Sequence, residues 1–170
     1  TLLMTEVGFE RIDAVAGGET AGIPFAAWVA ANLGLPMHYV RKRAVGLGPG
    51  AQIEGVLTPG QRVLLVEDLT TDGASKIRFC EALRRAGAEV TDVAMIFHYD
   101  IFAETGVALA QHGLRLHALA TWRDVLDEAR AQACFPSGTL DEIAGFLDHP
   151  LDWSARHGGA SRLLLSPKEF

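Results

Sequence analysis

The chain has 170 residues, 49% of them hydrophobic and 21% charged, with a mean hydropathy of +0.17: enough for one ordinary globular domain, short for two, and too apolar for a disordered chain. Fifteen Lys and Arg against 21 Asp and Glu give a formal net charge of -6, which argues against a general nucleic-acid binder, so any phosphate must be held locally. No run approaches 18 uncharged apolar residues, which argues against a membrane span, and Cys80 and Cys134 show no metal-ligand spacing. Both cysteines read as small buried side chains in a reduced, cytoplasmic setting.

Glycines and prolines punctuate alternating apolar runs, and no internal repeat is present. In chain order the pattern predicts a helix end over 1–7, a strand over 12–16 and a Gly-rich turn over 17–22. A helix over 23–33 and a strand over 37–41 follow, then a Gly-rich loop over 43–50 and a hairpin around 52–57. Next come a strong buried strand over 62–67, a helix over 73–86, a strand over 89–99, a helix over 103–112 and a strand over 114–120. Helical segments after Trp122 and Thr139 complete the series. This β-α-β alternation predicts a parallel sheet with helices on both faces. The whole chain, 1–170, reads as one domain with its core over about 8–130 and C-terminal helices and tail over 131–170. Within 148–170, His157-Gly158-Gly159 ends any helix, and Leu163-Leu164-Leu165 before Pro167 reads as a docked tail or a flexible end; no function is assigned to it. The chain starts at Thr1 without Met or a signal-peptide pattern, so a natural N-terminal segment is expected to be missing.

The stretch Val63-Leu64-Leu65-Val66-Glu67-Asp68-Leu69-Thr70-Thr71-Asp72-Gly73-Ala74-Ser75 is the most informative. A buried strand ends in two carboxylates, and small hydroxylic residues with a glycine turn into the next helix. Ligands of open α/β sheets bind at the carboxyl ends of strands. Such a turn presents backbone N–H groups at the positive end of a helix dipole, which suits a phosphate. A carboxylate ~4 Å from a phosphate is repelled by roughly 4 kcal/mol per charge pair at an effective dielectric near 20. Glu67 and Asp68 should therefore face hydroxyls or a developing cation, and a sugar phosphate satisfies both halves. The plainer reading is a strand-end acid pair with Thr71 or Asp72 as the helix N-cap.

The stretch resembles the 5-phosphoribosyl 1-diphosphate (PRPP) signature of type I phosphoribosyltransferases. Over about residues 7–130 the chain is similar to the orotate phosphoribosyltransferases in particular. The further motifs are Ala16-Gly17-Gly18-Glu19-Thr20-Ala21-Gly22-Ile23-Pro24, Leu33-Gly34-Leu35-Pro36-Met37, Tyr39-Val40-Arg41-Lys42 and Gln52-Ile53-Glu54-Gly55. The resemblance implies that Glu67 and Asp68 bind the ribose hydroxyls and that Leu69, Thr70, Thr71, Asp72, Gly73, Ala74 and Ser75 hold the 5-phosphate. It implies that Gly18, Glu19, Thr20 and Ala21 form the diphosphate loop, whose glycines permit unusual backbone angles. Arg41 and Lys42 would reach diphosphate oxygens, often across a dimer interface; on residue type alone, Arg41-Lys42-Arg43 reads as a solvated basic strand end. Transfer of ribose 5-phosphate to orotate, Mg²⁺ held mainly by diphosphate and water, and a homodimer with shared active sites are further implications. No metal-ligating residue is assigned.

Three departures stand out. Aligned from Arg41, the loop positions where the family commonly carries Lys and His are Val45 and Leu47, which leaves Arg43 or another subunit to assist the leaving group. The surrounding Gly46, Gly48, Pro49 and Gly50 still read as a mobile lid or as an ordinary exposed hairpin loop. After the strand ending near Phe97 the family commonly has Asp-Arg, where this chain has His98-Tyr99; Tyr99, with Thr71, is the candidate contact to orotate. The third is the absent N-terminal segment, a hood over the base in the family. The alternatives are a catalytically weak or inactive PRPP-binding regulator and a phosphoribosyltransferase for another base.

Overall fold

Four consecutive apolar residues, Val63-Leu64-Leu65-Val66, can be buried on both faces only in the middle of a sheet covered on both sides, and that is where they lie. The structure, a computed structural model, describes residues 5, 7–48 and 50–162. Its strands are β1 (Ala14–Gly18), β2 (Met37–Val40), β3 (Ile53–Glu54), β4 (Val63–Thr70), β5 (Asp92–His98) and β6 (Arg115–Thr121), in the order β3-β2-β1-β4-β5-β6. Every pairing is parallel except β2 with β3. The helices are α1 (Gly22–Leu33), α2 (Ala74–Arg85), α3 (Glu104–Gln111), α4 (Trp122–Ala131), α5 (Ser137–Asp148) and α6 (Pro150–Arg156).

Strand alternation sorts the core into two layers. Val15, Leu64, Val66 and Ala94 pack against Ala26 and Ala30 of α1. Ala14, Ala16, Val63, Leu65, Val93 and Met95 pack against Phe79, Cys80 and Leu83 of α2 and Leu109 of α3. On α2 the buried positions Lys76, Phe79, Cys80 and Leu83 follow helical spacing, with a lysine in an otherwise apolar stripe. Helix α4 opens with a capping box in which the Thr121 hydroxyl accepts from the Asp124 amide and the Asp124 carboxylate accepts from the Thr121 amide.

The mostly parallel sheet with helices on both faces matches the predicted architecture. Several boundaries move. Strand β4 continues through Thr70, because Leu69 and Thr70 pair with Phe97 and His98 of β5, so the turn is shorter than predicted. The hairpin predicted around 52–57 narrows to Ile53–Glu54 paired with Tyr39 and Val40. A seven-residue helix, α6, lies within the C-terminal segment and stops before Gly158, whose φ of +79° breaks it. Cys80 is buried, but Cys134 is exposed, because it follows the end of α4 beyond the sheet. Most of the helix end predicted over 1–7, Pro49 of the loop and the Leu163-Leu164-Leu165 tail lie outside the described residues. Among the described residues no helix is long and apolar enough to cross a membrane.

Candidate active site

A cavity of about 630 Å³ opens beside the carboxyl ends of β1 and β4. Its wall takes Glu19, Thr20 and Ala21 from the loop after β1, Glu67 and Asp68 from β4, and Lys42 and Gln52 from the two ends of the loop between β2 and β3. Helix α2 closes the other side with Ser75, Lys76, Arg78, Phe79, Glu81 and Arg85.

The two carboxylates of the acid pair have different surroundings. Adjacent strand residues point to opposite faces, and Glu67 shares the α2-facing side with Val63 and Leu65. Its carboxylate lies 3.0 Å from Lys76 Nζ through Oε2 and accepts the Gly18 amide at 2.8 Å through Oε1. The two side chains are 5% and 8% exposed. Burial pushes the Glu67 carboxyl above its usual range, and Lys76 and the Gly18 amide oppose that rise. Asp68 is half-buried at the cavity wall.

Residues 18–22 are shaped around that carboxylate. A Cβ on Gly18 would meet the Phe79 ring at 2.4 Å and Glu67 Oε1 at 2.5 Å; one on Gly22 would meet the same oxygen at 1.9 Å. Gly18 is a strand residue, not among those at positive φ, so it is required for space and not for an unusual backbone angle. Its amide is already donated to Glu67. The Glu19–Thr20 peptide bond is cis. Glu19 accepts the Lys42 amide at 2.8 Å, and that bond holds its carboxyl below the usual range.

The turn after β4 is internally braced. Gly73, at φ +78°, donates its amide to Thr70 Oγ1 at 3.2 Å, and Ala74 donates to Asp72 Oδ1 at 3.0 Å. Thr105 Oγ1 donates to the Thr71 carbonyl at 2.9 Å. Two amides expected to be available for a phosphate therefore already have acceptors, and Gly73, not Thr71 or Asp72, occupies the N-cap position.

Of the residues singled out from sequence, Glu19, Thr20, Ala21, Lys42, Glu67, Asp68 and Ser75 share the cavity wall. Gly18 stands behind the wall, and residues 69–74 carry the strand end and the turn. Arg41 is not in the wall: its Nε donates to Glu54 Oε1 at 2.6 Å, and its guanidinium lies 5.2 Å from the centre of the Tyr39 ring. Arg43 is exposed in the loop, as are Val45 and Leu47. Tyr99 is half-buried and packs edge-on to Phe97 and Trp122, at 6.0 and 5.9 Å between ring centres. The wall residues that sequence reading passed over are those of α2 beyond Ser75, above all Lys76. Its signal was available: a lysine in register with Phe79, Cys80 and Leu83 must find an anion in the core.

Among the described residues no group of three or more His, Cys, Asp or Glu is placed to hold a metal ion. The cavity does offer carboxylate oxygens from Glu19 and Asp68. That donor set fits a hard cation that keeps most of its water and ligand oxygens.

Residues 3–106 match the family model for the phosphoribosyl transferase domain. The chain belongs to the phosphoribosyltransferase family. It is 60% identical over 151 residues to the orotate phosphoribosyltransferase of Cereibacter sphaeroides, covering 89% of this chain and 65% of that one. It is 53% identical over 161 residues to the orotate phosphoribosyltransferase of Agrobacterium fabrum, covering 95% and 69%. Among solved structures, the orotate phosphoribosyltransferase of Aeropyrum pernix superposes with a TM-score of 0.65 at 35% identity, covering 75% of this chain and 71% of that one. The chain thus spans about two thirds of the length of the curated relatives it matches.

Proposed function

We propose that this chain acts as an orotate phosphoribosyltransferase, moving ribose 5-phosphate from PRPP to N1 of orotate and releasing diphosphate. The observation that carries the reading is the single cavity shared by Glu19, Thr20, Ala21, Lys42, Asp68 and Ser75, in a chain 60% identical to a curated orotate phosphoribosyltransferase. The carbon–oxygen bond from ribose C1 to diphosphate breaks as the bond from C1 to N1 of orotate forms, and the proton lost from N1 is taken up by the released diphosphate or by water. Positive charge grows at C1 as the first bond loosens, and the half-buried Asp68 carboxylate on β4 offsets it. Lys42 and the 18–21 loop lie beside the diphosphate, and Ser75 with the start of α2 lies toward the 5-phosphate, where the helix dipole is positive. Glu19 and Asp68 would hold a Mg²⁺ ion through water and ligand oxygens, and the ion would supply positive charge to offset that of the diphosphate.

Thr71 and Tyr99 are assigned to the base, and Tyr99 supplies a ring already held edge-on by Phe97 and Trp122. Arg43 is the one cation of residues 43–51 and is assigned to the leaving group. Arg41, turned toward Glu54, fits a role at the site of a second copy in a homodimer. A single domain over 1–170 and a cytoplasmic location complete the reading.

The test is a steady-state assay with PRPP and Mg²⁺, comparing orotate with uracil and hypoxanthine. Turnover of orotate well above the other two bases is expected. Preference for another base overturns the assignment. The exposed Val45 and Leu47 favour a second reading, a PRPP-binding regulator, which would show PRPP binding without orotate turnover.

A further inference from the structure

A lysine ammonium and a carboxylate buried together at the floor of the cavity call for an account. Removing two charges from water is expensive, and well-packed apolar residues of similar volume often serve stability as well or better. The location of the pair is more specific. Glu67 Oε2 is 3.0 Å from Lys76 Nζ, and Oε1 accepts the Gly18 amide at 2.8 Å, so both oxygens have partners within the protein. The same Oε1 occupies the space that a side chain on either Gly18 or Gly22 would need. Glycine at both ends of the 18–22 segment therefore fits one arrangement, with the Glu67 carboxylate retracted beneath the loop. Lys76 reaches it from the first turn of α2, Gly18 meets it from the end of β1, and Asp68 is its acidic neighbour on β4.

We propose that Lys76 is a positioning residue: its buried ammonium holds Glu67 with both oxygens engaged by the protein, so that Glu67 fixes residues 18–22 in place and the half-buried Asp68 is the acid that faces the sugar. The inference deepens the reading above and rests on PRPP being the ligand of this cavity. It separates the two acids by role, one setting the shape of the diphosphate loop and the other facing the sugar.

The test compares the full chain with Lys76→Met and with the double variant Lys76→Met/Glu67→Gln. The double variant removes both charges together and so avoids an unpaired buried carboxylate. In both variants the KM for PRPP is expected to rise about tenfold, with kcat within about threefold and the KM for orotate unchanged, the pattern of lost ground-state binding at one substrate. A folded double variant with the wild-type KM for PRPP overturns the proposal and leaves the pair a packing feature. A second measurement needs no variant: hydrogen exchange at the Gly18 amide of the wild-type chain. Protection of at least about 10²-fold without ligand, retained when PRPP binds, is expected; exchange at an unprotected rate overturns the proposal even if the variants fail to fold. Wild-type protein that does not bind PRPP fails the functional reading, whereas wild-type binding with unmoved variants fails only the positioning role.

Discussion

Two buried carboxylates sit at opposite ends of the same sheet, and the protein treats them in opposite ways. Asp92 opens β5 at the amino end, where Arg115 is its cross-strand partner in β6 and His117 lies two residues further along. Its oxygens receive Arg115 at 2.8 and 2.9 Å, His117 at 2.8 Å and the Thr91 hydroxyl at 2.8 Å. Burial pushes its carboxyl up, but these donors together outweigh burial and bring it from 3.8 down to about 2. Glu67, near the carboxyl end of β4, has one ammonium and one amide, and there burial wins. The rim carboxylate has surplus donors, one of which, Arg115, is half-exposed; the cavity carboxylate has one ammonium and one amide. Structural charge is over-supplied, and the charge beneath the site is held with nothing in reserve.

The sharpest way to break this contrast is to remove the cation from each carboxylate. Lys76→Met is expected to cost about 3–5 kcal/mol in urea unfolding, because it strands a buried carboxylate. Arg115→Met should cost far less, since His117 and Thr91 remain on Asp92. Equal losses would erase the distinction. The next effect in size concerns the acid that faces the cavity: Asp68→Asn should lower kcat about 10²-fold with little change in melting temperature. Parallel losses of activity and stability would make Asp68 a structural residue.

The pH dependence of stability separates the two sites by sign. The Asp92 carboxyl, lowered to about 2 in the folded state, contributes stability that is complete above about pH 4 and is lost as pH falls toward 2. Glu67 is raised from 4.5, so its contribution is present below that value and is lost as pH rises through its folded pKa. Urea midpoints across pH 2–7 should therefore show a flatter acid limb in Asp92→Asn and a change of opposite slope, at higher pH, in Glu67→Gln. The smallest effect is expected in the loop, where Val45→Lys should raise orotate turnover only severalfold; an unchanged rate would show that another group already serves the leaving diphosphate.

Much of the fold was legible because its signals are local. The apolar run of β4, the small-residue turn and the helical stripe of α2 each announce one element, and β-α-β alternation joins them. The cavity residues at 19–21, 42, 67, 68 and 75 follow from motifs at the ends of those elements. Harder to read was the division of labour between Glu67 and Asp68. With the strand ending at the acid pair, the two acids look like equivalent groups facing one ligand, whereas a strand continuing to Thr70 puts neighbours on opposite faces. The role of Gly18 was hidden for a related reason: the side chains that forbid a Cβ there, Phe79 and Glu67, come from two distant stretches of sequence. The exposure of Cys134 and the existence of α6 depend on where the last helices dock, which no periodicity encodes.

Gln52 ties the loop between β2 and β3 to the rest of the molecule at its root. Its Nε2 donates to the Arg41 carbonyl at 3.1 Å, its Oε1 accepts from Arg85 on α2 at 3.0 Å, and above it the Val45 amide closes on the Ala51 carbonyl at 2.8 Å. The loop is thus pinned at its root from both sides, and Lys42, whose amide Glu19 accepts and whose neighbour Arg41 is tied to Gln52, takes its station from the sheet and α2 and not from the outer residues of the loop.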